Sequence, residues 1–546
     1  MAAASNSTMD PNSGFSPQTK IFHSLRPSIS IPPSPLPLYI FSLLSSSSPS
    51  PAAALIDAAT SRRIPLSHLP ILVQSLASNL RLKFNIRKND VAFILSTNSI
   101  QIPLLHLSLL SLSVIVSPSN PLSSDSDISH QIRLTKPAIA FATSASAARV
   151  PPLREGTVLL DSPEFESLFL PSAAKFDPPE VSPDDTAAIL YSSGTTGRVK
   201  GVELTHRNLI AVIAGARAIR AARASPPVTL CVVPFFHVYG FTMCLREVAL
   251  GGSLVVAAAE SRRGSRLDLE MVFGAVEEFG VTHLAVAPPV VVAMVKSAVV
   301  GKYELRSLEV VMSGGAPVAS TVIERFKAKF SNISLIQAYG LTETSAGVVR
   351  PLGGFESEVK GSNGRLVSNC QARIIDPLTG DSLPPLMPGE LWIRGPIVMK
   401  GYVGDKEATA AMVDSEGWLR TGDICFFDGN GLLFYVERLK DLIKYNGYQV
   451  APAELEDLLL SHPAIVDAAV IPYPDEDAGQ IPAAFVVREP GSTINESLIM
   501  DFVAQKVAPY KKIRRVFFRD TIPKNAAGKV LRKELVKLAT NVASKL

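Results

Sequence analysis

The most chemically suggestive stretch of the sequence is "YSSGTTGRVKG", residues 191–201, which combines hydroxyl side chains, glycines and two cations. Glycine lets backbone N–H groups approach a ligand closely, and hydroxyl and ammonium groups add further donors. Such a concentration of donors and positive charge is typical of a loop that binds a polyphosphate. An apolar run precedes the loop and a segment with helical spacing follows it, so we predict that the loop lies between a strand and a helix.

The spacing of this loop differs from that of the P-loop in kinases and GTPases, which requires Gly, four residues and then Gly-Lys-Ser/Thr. Counting from Gly194, Val199 occupies the position of the second glycine. A flexible Ser/Gly linker is the alternative, but such linkers do not usually end in a lysine between two apolar elements. We therefore favour a phosphate-binding loop of another type.

Length and composition restrict the class of protein. A chain of 546 residues predicts two or more domains, and 47% hydrophobic with 19% charged residues is an ordinary globular composition. The net charge of +4 does not suggest nucleic-acid binding. The four cysteines form no Cys-x-x-Cys pair, which argues against a disulfide framework and against a zinc site. The most apolar run, residues 104–116, is shorter than a bilayer span, so we predict a buried helix and strand and no transmembrane segment.

The two ends of the chain differ in what they indicate. The N-terminal residues lack the basic and then apolar order of a secretory signal. Residues 1–50 are expected to be variable and partly disordered, and the serine-rich residues 42–55 to be a turn or linker. The last three residues match the tripeptide that the peroxisomal import receptor reads, so we predict a peroxisomal location through Ser544, Lys545 and Leu546.

Elements that could position the loop follow a regular order. Short apolar strands alternate with helical patterns over most of the chain, which predicts an α/β fold with helix-covered parallel sheets. Several strands end in unusual residues, namely His237, Gly314 with Gly315, and Tyr339 with Gly340. Ligands of such folds bind at the carboxyl ends of the strands, so we expect the site there.

The pattern of residue types changes at two points further along the chain. From about Asn363 to Tyr435, short strands separated by Gly, Pro and Asp turns predict a small antiparallel barrel or sheet. The remainder predicts a small α+β unit, with a helix that begins at Pro452. We therefore expect a large domain at residues 51–438 and a small mobile domain at residues 439–546.

Eight motifs occur in one order along the chain: "YSSGTTGRVKG", "PFFHVYG", "SGGAP", "QAYGLTET", "GELWIRG", "WLRTGD", "ERLKDLIKYNGYQVAPAELE" and "PKNAAGKVLRKEL". In order and spacing they resemble the adenylate-forming (acyl-CoA synthetase) superfamily, and most of all the plant 4-coumarate–CoA ligases and their ligase-like relatives. The resemblance covers almost the whole chain beyond the first fifty residues. It implies an acid–thiol ligase: a carboxylic acid and MgATP give an acyl-adenylate and pyrophosphate, and coenzyme A then gives a thioester and AMP.

The same resemblance implies how ATP is bound. Residues 192–200 would hold the β- and γ-phosphates, and Glu343 would bind Mg2+ beside Thr342, because a hard cation takes oxygen ligands. Tyr339 would lie against adenine, while Asp423 and Arg438 would hold the ribose. The complete implied ATP-binding set is Ser192, Ser193, Gly194, Thr195, Thr196, Gly197, Lys200, Gly315, Ala316, Pro317, Ala338, Tyr339, Gly340, Thr342, Asp423 and Arg438.

Catalysis in the family needs two arrangements of one site. Lys529 is implied to bridge the substrate carboxylate and the α-phosphate, and His237 to orient the acid. The small domain then turns about the residue that matches Lys440, which removes Lys529. A hairpin loop takes its place, with Lys444 and Gln449 in catalysis and with CoA bound by Lys444, Tyr445 and Gly447. The family often has Lys where this chain has Asn446, so an ionic contact at that position is in doubt.

Acyl specificity in the family is set by a pocket that here comprises Tyr239, Ser313, Gly315 and Ala338, with the segment after Thr344. Hydroxycinnamate enzymes carry Gly in place of Ala338 and a shorter, proline-containing segment in place of "TSAGVV", so strict 4-coumarate specificity is not expected. Fatty acids, cyclopentenone-type jasmonate precursors and cinnamate-like acids are all consistent with a peroxisomal ligase.

Several alternatives stay open at this point. They are a 4-coumarate–CoA ligase of phenylpropanoid metabolism, an oxidising enzyme similar to firefly luciferase, and transfer to the pantetheine of a carrier protein. A non-catalytic acyl-binding protein would be expected to lack Lys529, Glu343 or the phosphate loop, and the sequence retains all three. We expect a monomer that binds a small carboxylic acid, ATP and CoA and no nucleic acid.

Overall fold

A computed structural model describes residues 9–47, 54–172, 178–192, 199–220, 223, 225–257, 268–446, 448–524 and 528–543. In chain order, the strands are β1 Phe15–Ser16, β2 Ile21–His23, β3 Ala54–Asp57, β4 Arg63–Pro65, β5 Val91–Leu95, β6 Ile115–Ser119, β7 Ile139–Ala142, β8 Thr157–Leu159, β9 Thr186–Ser192, β10 Lys200–Thr205, β11 Val228–Cys231, β12 Ser253–Val256, β13 His283–Val286, β14 Val310–Ser313, β15 Ser334–Gln337, β16 Tyr339–Leu341, β17 Ala346–Arg350, β18 Arg365–Leu366, β19 Gln371–Ile375, β20 Gly389–Arg394, β21 Gly401–Tyr402, β22 Leu419–Phe427, β23 Leu433–Arg438, β24 Ile443–Tyr445, β25 Tyr448–Val450, β26 Ile465–Asp475, β27 Gly479–Arg488 and β28 Arg515–Phe518.

Helices lie between most of these strands. In chain order, the α-helices are α1 Leu36–Ser47, α2 Leu69–Lys83, α3 Gln101–Ser111, α4 Asp125–Thr135, α5 Ser144–Ala147, α6 Pro163–Ser167, α7 His206–Ala218, α8 Val238–Ala249, α9 Leu269–Phe279, α10 Pro288–Lys296, α11 Ser320–Lys329, α12 Gly354–Glu358, α13 Lys406–Met412, α14 Pro452–Leu460, α15 Glu496–Ala504 and α16 Arg532–Ala543. Short 3-10 helices occur at Leu66–His68, Val299–Lys302, Thr342–Thr344, Leu439–Asp441 and Pro509–Lys511.

Two seven-stranded sheets make up most of the structure. Their strand orders are β21-β10-β9-β6-β5-β7-β8 and β15-β14-β13-β11-β12-β3-β4. The central strands pair in parallel, with helices between them in the chain. A parallel strand covered on both faces is apolar throughout, and every residue of β5 is buried. The predicted α/β fold with helix-covered parallel sheets is therefore confirmed.

The elements around the predicted phosphate loop differ from the prediction. The loop joins β9 to an antiparallel strand, β10, and the helix α7 begins only after that strand. The reason is that Val202 and Leu204 alternate with more polar neighbours and bury their side chains, which is the period of a strand. The expectation of a direct strand-to-helix connection is wrong, because the loop is the connection of a hairpin.

A third sheet is antiparallel, as expected for the region of glycine and proline turns. Its order is β1-β2-β19-β20-β22-β23, so its first two strands come from the N-terminal segment. Phe22 and, from α1, Leu36 and Ile40 are fully buried. Residues 42–47 of the stretch predicted as a turn or linker instead continue α1, because the apolar side of the helix packs into the core, and residues 48–53 lie outside the described residues. Residues 9–47 therefore belong to the folded body.

The C-terminal part forms the small α+β unit that the sequence predicts. Its sheet contains β25-β24-β27-β26, and β28 pairs with β27. Helix α14 begins at Pro452 and buries Leu455 and Leu459. Among the described residues, no helix is long and apolar enough to cross a membrane.

Candidate active site

Glu343 lies at the point where the phosphate loop leaves its strand. Its carboxylate oxygen Oε1 accepts hydrogen bonds from Ser192 Oγ and Tyr402 Oη, both at 2.9 Å. The Lys200 ammonium lies 4.7 Å from the centre of the Tyr402 ring, within cation–π range. The structure therefore brings Ser192, Lys200 and Glu343 together at one edge of the sheet, as the resemblance implies.

The tight turn that presents Glu343 depends on glycine. A Cβ atom at Gly340 would lie 1.4 Å from the Ala346 carbonyl oxygen, so no other residue fits there. This close approach pairs β16 with β17 and places the 3-10 helix Thr342–Thr344 between them. Oε2 of Glu343 accepts no hydrogen bond from any described residue, and the side chain is nine-tenths buried. A carboxylate oxygen of this kind, next in the chain to the hydroxyl residue Thr342, is the hard donor that Mg2+ prefers.

Asp423 forms a second polar centre, on β22. Its Oδ2 accepts a 2.7 Å hydrogen bond from Tyr339 Oη, and Arg438 Nε lies 2.9 Å from its Oδ1. The Arg438 contact is an ion pair without hydrogen-bond alignment, so Oδ1 has no hydrogen-bond donor among the described residues. Burial raises the pKa of this carboxyl, and the charge of Arg438 opposes that effect. The free lone pairs of Oδ1 can accept a ligand hydroxyl.

Lys529 reaches this centre from the C-terminal unit. Burial lowers its pKa to about 8, with further lowering by the charges of Arg438 and Lys440. Asp441 and Asp423 act in the opposite direction, so the ammonium lies within electrostatic range of both polar groups. The predicted adenylation lysine and the predicted ribose carboxylate, distant in sequence, thus lie within electrostatic range of each other in the structure.

Contacts between the two parts of the chain hold Lys529 in this place. The preceding residue, Gly528, has φ of +79° and approaches α10 so closely that a Cβ atom would lie 2.5 Å from Pro289 Cδ and Cγ. Ser320, at the start of α11, donates hydrogen bonds to Asp457 of α14 through its backbone N–H (3.0 Å) and its hydroxyl.

Arg532 adds a charged contact at the same junction. Its Nη2 lies 2.7 Å from Glu456 Oε1 and 3.7 Å from Glu437 Oε2, and its Nη1 lies 3.9 Å from Asp441 Oδ2. These carboxylates belong to α14, to β23 and to the 3-10 helix that contains Lys440. A guanidinium that faces three carboxylates from these elements joins the predicted hinge to both parts of the chain.

His237 and Tyr239 lie at the start of α8. His237 is the N-cap residue, and its Nδ1 accepts a hydrogen bond from the Tyr239 N–H at 3.3 Å. Burial lowers the pKa of the imidazole, which favours its neutral form. A Cβ atom at Gly240 would lie 2.2 Å from the Pro234 carbonyl oxygen, so glycine permits this close turn.

Tyr239, a predicted acyl-pocket residue, contacts the carboxyl end of β14. Its hydroxyl donates to the Met312 carbonyl at 2.9 Å, and its ring lies where a Cβ atom at Gly314 would be 3.4 Å away. Ser313 is buried with a hydroxyl that has no hydrogen-bond partner among the described residues, and its carbonyl accepts from the Ala338 N–H at 3.1 Å. Gly315 and Pro317 are exposed and Ala316 is half-buried at the carboxyl end of β14.

The predicted thioester-forming loop lies elsewhere in this arrangement. Lys444 and Gln449 are cross-strand neighbours on β24 and β25, and both are exposed. Within the described ranges, no hydrogen bond or ion pair connects either residue to Asp423, Arg438 or His237. The structure thus presents Lys529, and not this loop, to the polar centre.

Asn446 has a conformational role at the tip of that hairpin. Tyr445 pairs with Tyr448, and Asn446 adopts a left-handed φ of +45°. Asparagine tolerates this region better than lysine does, so Asn446 suits the conformation of the hairpin tip. Some predicted residues lie outside the described residues, namely Ser193, Gly194, Thr195, Thr196, Gly197, Gly447, Ser544, Lys545 and Leu546.

Two residues of the site were not anticipated from sequence. Tyr402 follows Gly401 in "MKGYVGD", and an aromatic residue beside a glycine after a strand-like segment was the available signal. Arg532 lies in a basic segment whose pattern predicts a solvent-exposed helix face. Its role at the junction becomes visible only when Glu437, Asp441 and Glu456 are placed around it.

The chain matches the model of the AMP-binding enzyme family over residues 47–403. It belongs to the AMP-binding enzyme family. The model of the AMP-binding enzyme C-terminal domain matches residues 454–529. Both matches agree with the order of the motifs.

Curated relatives of this AMP-binding enzyme cover its full length. It is 49% identical to 4-coumarate–CoA ligase-like 9 of Arabidopsis thaliana, over 98% of this chain and 98% of the relative. It is 47% identical to 4-coumarate–CoA ligase-like 6 of Oryza sativa subsp. japonica, over 98% and 93%. It is 42% identical to the peroxisomal OPC-8:0-CoA ligase 1 of Arabidopsis thaliana, over 98% and 99%.

Solved structures share the fold. ATP-bound MatB from Rhodopseudomonas palustris superposes with a TM-score of 0.83 at 24% identity, over 94% of this chain and 100% of that one. The o-succinylbenzoate CoA synthetase of Bacillus subtilis, in complex with its acyl-adenylate, gives 0.78 at 25%, over 91% and 97%. The protein is therefore an adenylate-forming acid–thiol ligase, with a large N-terminal domain and a small C-terminal domain.

Proposed function

We propose that the protein activates a fatty, jasmonate-precursor or cinnamate-like acid in peroxisomes, first as an acyl-adenylate and then as a CoA thioester. The observation that carries the proposal is the position of Lys529 beside Asp423 and Arg438. An ammonium at this place lies next to the group expected to hold the ribose, so it is in reach of the α-phosphate. The proposed site is thus arranged for adenylation.

Each group in the proposed site has a specific role in adenylation. The loop of residues 192–200 binds the β- and γ-phosphates, and Tyr339 lies against the adenine. Asp423 accepts hydrogen bonds from the ribose hydroxyls through Oδ1, which has no other donor among the described residues. Lys529 neutralises the charge that develops when the substrate carboxylate approaches the α-phosphate, because two anions must come together there. His237 orients the acid in its neutral form.

Glu343 and Thr342 fit a magnesium ion. Oε1 of Glu343 is held by Ser192 and Tyr402, which leaves Oε2 available as a ligand. Bound there, Mg2+ would neutralise phosphate charge and help to position the pyrophosphate leaving group. Ser192 and Tyr402 keep the carboxylate oriented towards the phosphate loop.

The second half-reaction requires a different arrangement. The small domain rotates about Lys440, and Lys444 and Gln449 replace Lys529 while Tyr445 and Gly447 contribute to the CoA site. We place the boundary between the two domains at residue 439, in the 3-10 helix that follows β23. The enzyme acts as a monomer with free CoA as acceptor.

Substrate class and location rest on the relatives and on the pocket. The chain is 42% identical to a ligase whose name places it in peroxisomes, which supports the same location here. Recognition of residues 544–546 by the import receptor stays a prediction. Ala338 and the segment after Thr344 distinguish the pocket from that of hydroxycinnamate enzymes, which supports an acid other than 4-coumarate.

The test is a panel of acids with MgATP and CoA, which includes medium and long fatty acids, jasmonate precursors, cinnamate and 4-coumarate. Pyrophosphate release and thioester formation are measured in parallel. We expect thioester formation with one class of acid and a lower kcat/KM for 4-coumarate. A preference for 4-coumarate would contradict the proposed substrate class, and pyrophosphate without thioester would contradict free CoA as the acceptor.

A further inference from the structure

The segment that follows Thr344 ends in an arginine with a fixed backbone. Arg350 is the last residue of β17, and the helix α8, which carries Tyr239, packs against this strand. Arg26 Nη2 donates a 3.0 Å hydrogen bond to the Arg350 carbonyl. Gly364 has φ of +91°, and a Cβ atom there would lie 2.2 Å from the Arg350 carbonyl carbon. The strand is therefore held closely on two sides.

The guanidinium of Arg350 is enclosed but has no hydrogen-bond or ion-pair partner among the described residues. The charges of Arg246, Glu247 and Arg26 act on it, together with the phenol of Tyr239. Within the part of the chain that the structure describes, no group accepts a hydrogen bond from it and no carboxylate lies at ion-pair distance. Burial, and then the charge of Arg246, lower its pKa to about 10. Arg350 nevertheless keeps accessible surface, so part of it faces an open space.

The nearby carboxylates are already engaged. Oε1 of Glu247 lies 3.0 Å from Nε and 2.7 Å from Nη2 of Arg246, and its Oε2 accepts from Thr229 Oγ1 at 3.1 Å. Both oxygens of Glu247 are therefore engaged by Arg246 and Thr229, and neither accepts a hydrogen bond from Arg350.

The second carboxylate, Glu356, pairs with another arginine, Arg26. Glu356 binds Arg26 through both oxygens, at 2.9 and 2.5 Å, and lies 3.8 Å from Arg365. Arg365 is the cross-strand neighbour of Arg350, and like charges at opposed positions destabilise a sheet. Four arginines thus share two carboxylates. A cation enclosed without an acceptor is unfavourable unless a ligand supplies one.

Arg350 lies within electrostatic range of Tyr239, a predicted acyl-pocket residue, and its strand packs against the helix that carries Tyr239. Tyr239 is also enclosed yet partly accessible, and Arg246 lies seven residues further along α8, about 10 Å away at 1.5 Å per residue. His237, expected to orient the reacting carboxyl, is at the opposite end of the helix. Because the charge of Arg246 acts on Arg350 more strongly than Tyr239 does, we place the Arg350 guanidinium towards the end of the pocket remote from His237.

We propose that Arg350 is the distal recognition group of the acyl pocket and selects carboxylic acids that carry a hydrogen-bond acceptor at the end remote from the reacting carboxyl. The acceptor is a keto oxygen or a second carboxylate. This assignment rests on the proposed ligase function and specifies its substrate class. A guanidinium offers fixed, planar donors that suit either group. An acid without the acceptor leaves the enclosed donors unpaired, so the pocket discriminates against it.

The experiment compares three medium-chain acids of equal length: the unsubstituted acid, an acid with a distal keto group and the dicarboxylic acid. We expect kcat/KM of the wild-type enzyme to be at least about tenfold higher for one acceptor-bearing acid than for the unsubstituted acid. Arg350→Met should abolish this preference by raising KM for the acceptor-bearing acid. Its kcat/KM for the unsubstituted acid should be equal to or higher than that of the wild type. Arg350→Lys should retain part of it. A keto preference and a dicarboxylate preference distinguish the two acceptors, and either supports the proposal.

Arg365→Met is the matched control, because it removes the cross-strand arginine whose partners are Glu356 and the Asn430 carbonyl. It should keep the preference for the acceptor-bearing acid. A wild-type preference for the unsubstituted acid, or an Arg350→Met variant with unchanged preference, would overturn the proposal while leaving the ligase function intact.

A second measurement, of binding, tests the proposal even if no acid yields a thioester or if Arg350→Met does not fold. Stable acyl-sulfamoyl adenosines with and without the distal keto or carboxylate group are titrated by calorimetry against wild type and against Arg350→Lys. Tighter binding of an acceptor-bearing analogue, weakened by the lysine, supports the proposal even if no acid yields a thioester. Equal binding of all the analogues to the wild type refutes it. Absence of thioester with every acid in the wild type refutes the proposed function alone.

Discussion

Tyr339 donates a 2.7 Å hydrogen bond to Asp423, and this contact joins the two halves of the proposed nucleotide site. Tyr339 lies on β16, directly before the turn that presents Glu343, whereas Asp423 lies on β22 of the antiparallel sheet. The ring expected against adenine and the carboxylate expected at the ribose are therefore fixed relative to each other. Each residue also limits how far the other can move when ATP binds.

Asp423→Asn should weaken ATP binding. The change removes the charged acceptor of the ribose hydroxyls and leaves Arg438 without its carboxylate, and hydrogen bonds to charged groups contribute about 1.5–3 kcal/mol. We expect KM for ATP in pyrophosphate exchange to rise by roughly 10- to 100-fold. Tyr339→Phe keeps the ring and removes only one donor, so it should have less than about a tenfold effect. An unchanged KM in Asp423→Asn would contradict the ribose role.

Glu343→Gln should raise the magnesium requirement of adenylation. A neutral amide is a weaker ligand than a carboxylate for a hard cation, while the size of the side chain is kept. We expect the Mg2+ concentration for half-maximal pyrophosphate release to increase by about tenfold or more. Tyr402→Phe removes a donor to Glu343 but keeps the ring next to Lys200, so it serves as the control with a small effect. Identical magnesium curves for the wild type and Glu343→Gln would exclude the proposed ligand.

Adenylation should decline at alkaline pH. Lys529 must carry its proton to neutralise the reacting anions, and its pKa is lowered to about 8 in the enzyme without ligands. The active protonated form therefore predominates below about pH 8 and is lost above it. Because kcat/KM reports the pKa values of the free enzyme, the alkaline limb of its pH profile should lie near pH 8. Bound phosphates stabilise the ammonium, so the limb of kcat should lie at higher pH.

The pH experiment measures acyl-adenylate formation without CoA, which isolates the first half-reaction. Lys529→Ala should abolish adenylation while ATP binding is largely kept. A kcat/KM that stays level well above pH 8, or normal adenylation in Lys529→Ala, would be inconsistent with the assigned role.

Gly528→Ala should impair the first half-reaction selectively. An added Cβ would lie 2.5 Å from Pro289 and would also occupy a left-handed backbone conformation, with φ of +79°. Such strain costs roughly 1–3 kcal/mol, so docking of Lys529 should be disfavoured. We expect adenylation to fall by about tenfold or more. Thioester formation from a supplied acyl-adenylate should be nearly unchanged, because that step does not use Lys529.

Gly491→Ala is the matched control for this substitution. Gly491 belongs to the same unit and has φ of +84°, but a Cβ atom there meets no other atom within 4 Å. It therefore introduces the backbone strain without the contact at Pro289. Equal loss of both half-reactions in Gly528→Ala, or the same selective loss in Gly491→Ala, would argue against docking as the cause.

Much of the architecture can be predicted from local sequence patterns. The apolar runs at β11 to β15, the helix that starts at Pro452 and the antiparallel region after Asn363 all occur where the sequence predicts them. Their periodicity and their glycine and proline turns act over a few residues, so a single sequence is enough to recognise them. The two N-terminal strands were missed because they are very short and join the sheet only through the pairing of β2 with β19, more than 340 residues away.

Motif order by itself determined the family, the reaction and most of the candidate residues, since the chemistry of phosphates restricts which side chains can be used. Tertiary structure alone decided that the phosphate loop closes a hairpin, that Tyr402 holds Glu343, and that Lys529 rather than Lys444 lies beside Asp423. It also decided that Arg350 has no hydrogen-bond acceptor within the described part of the chain. Ion pairs and packing depend on distances between remote segments, and charge balance around a buried group is fixed only when those segments meet.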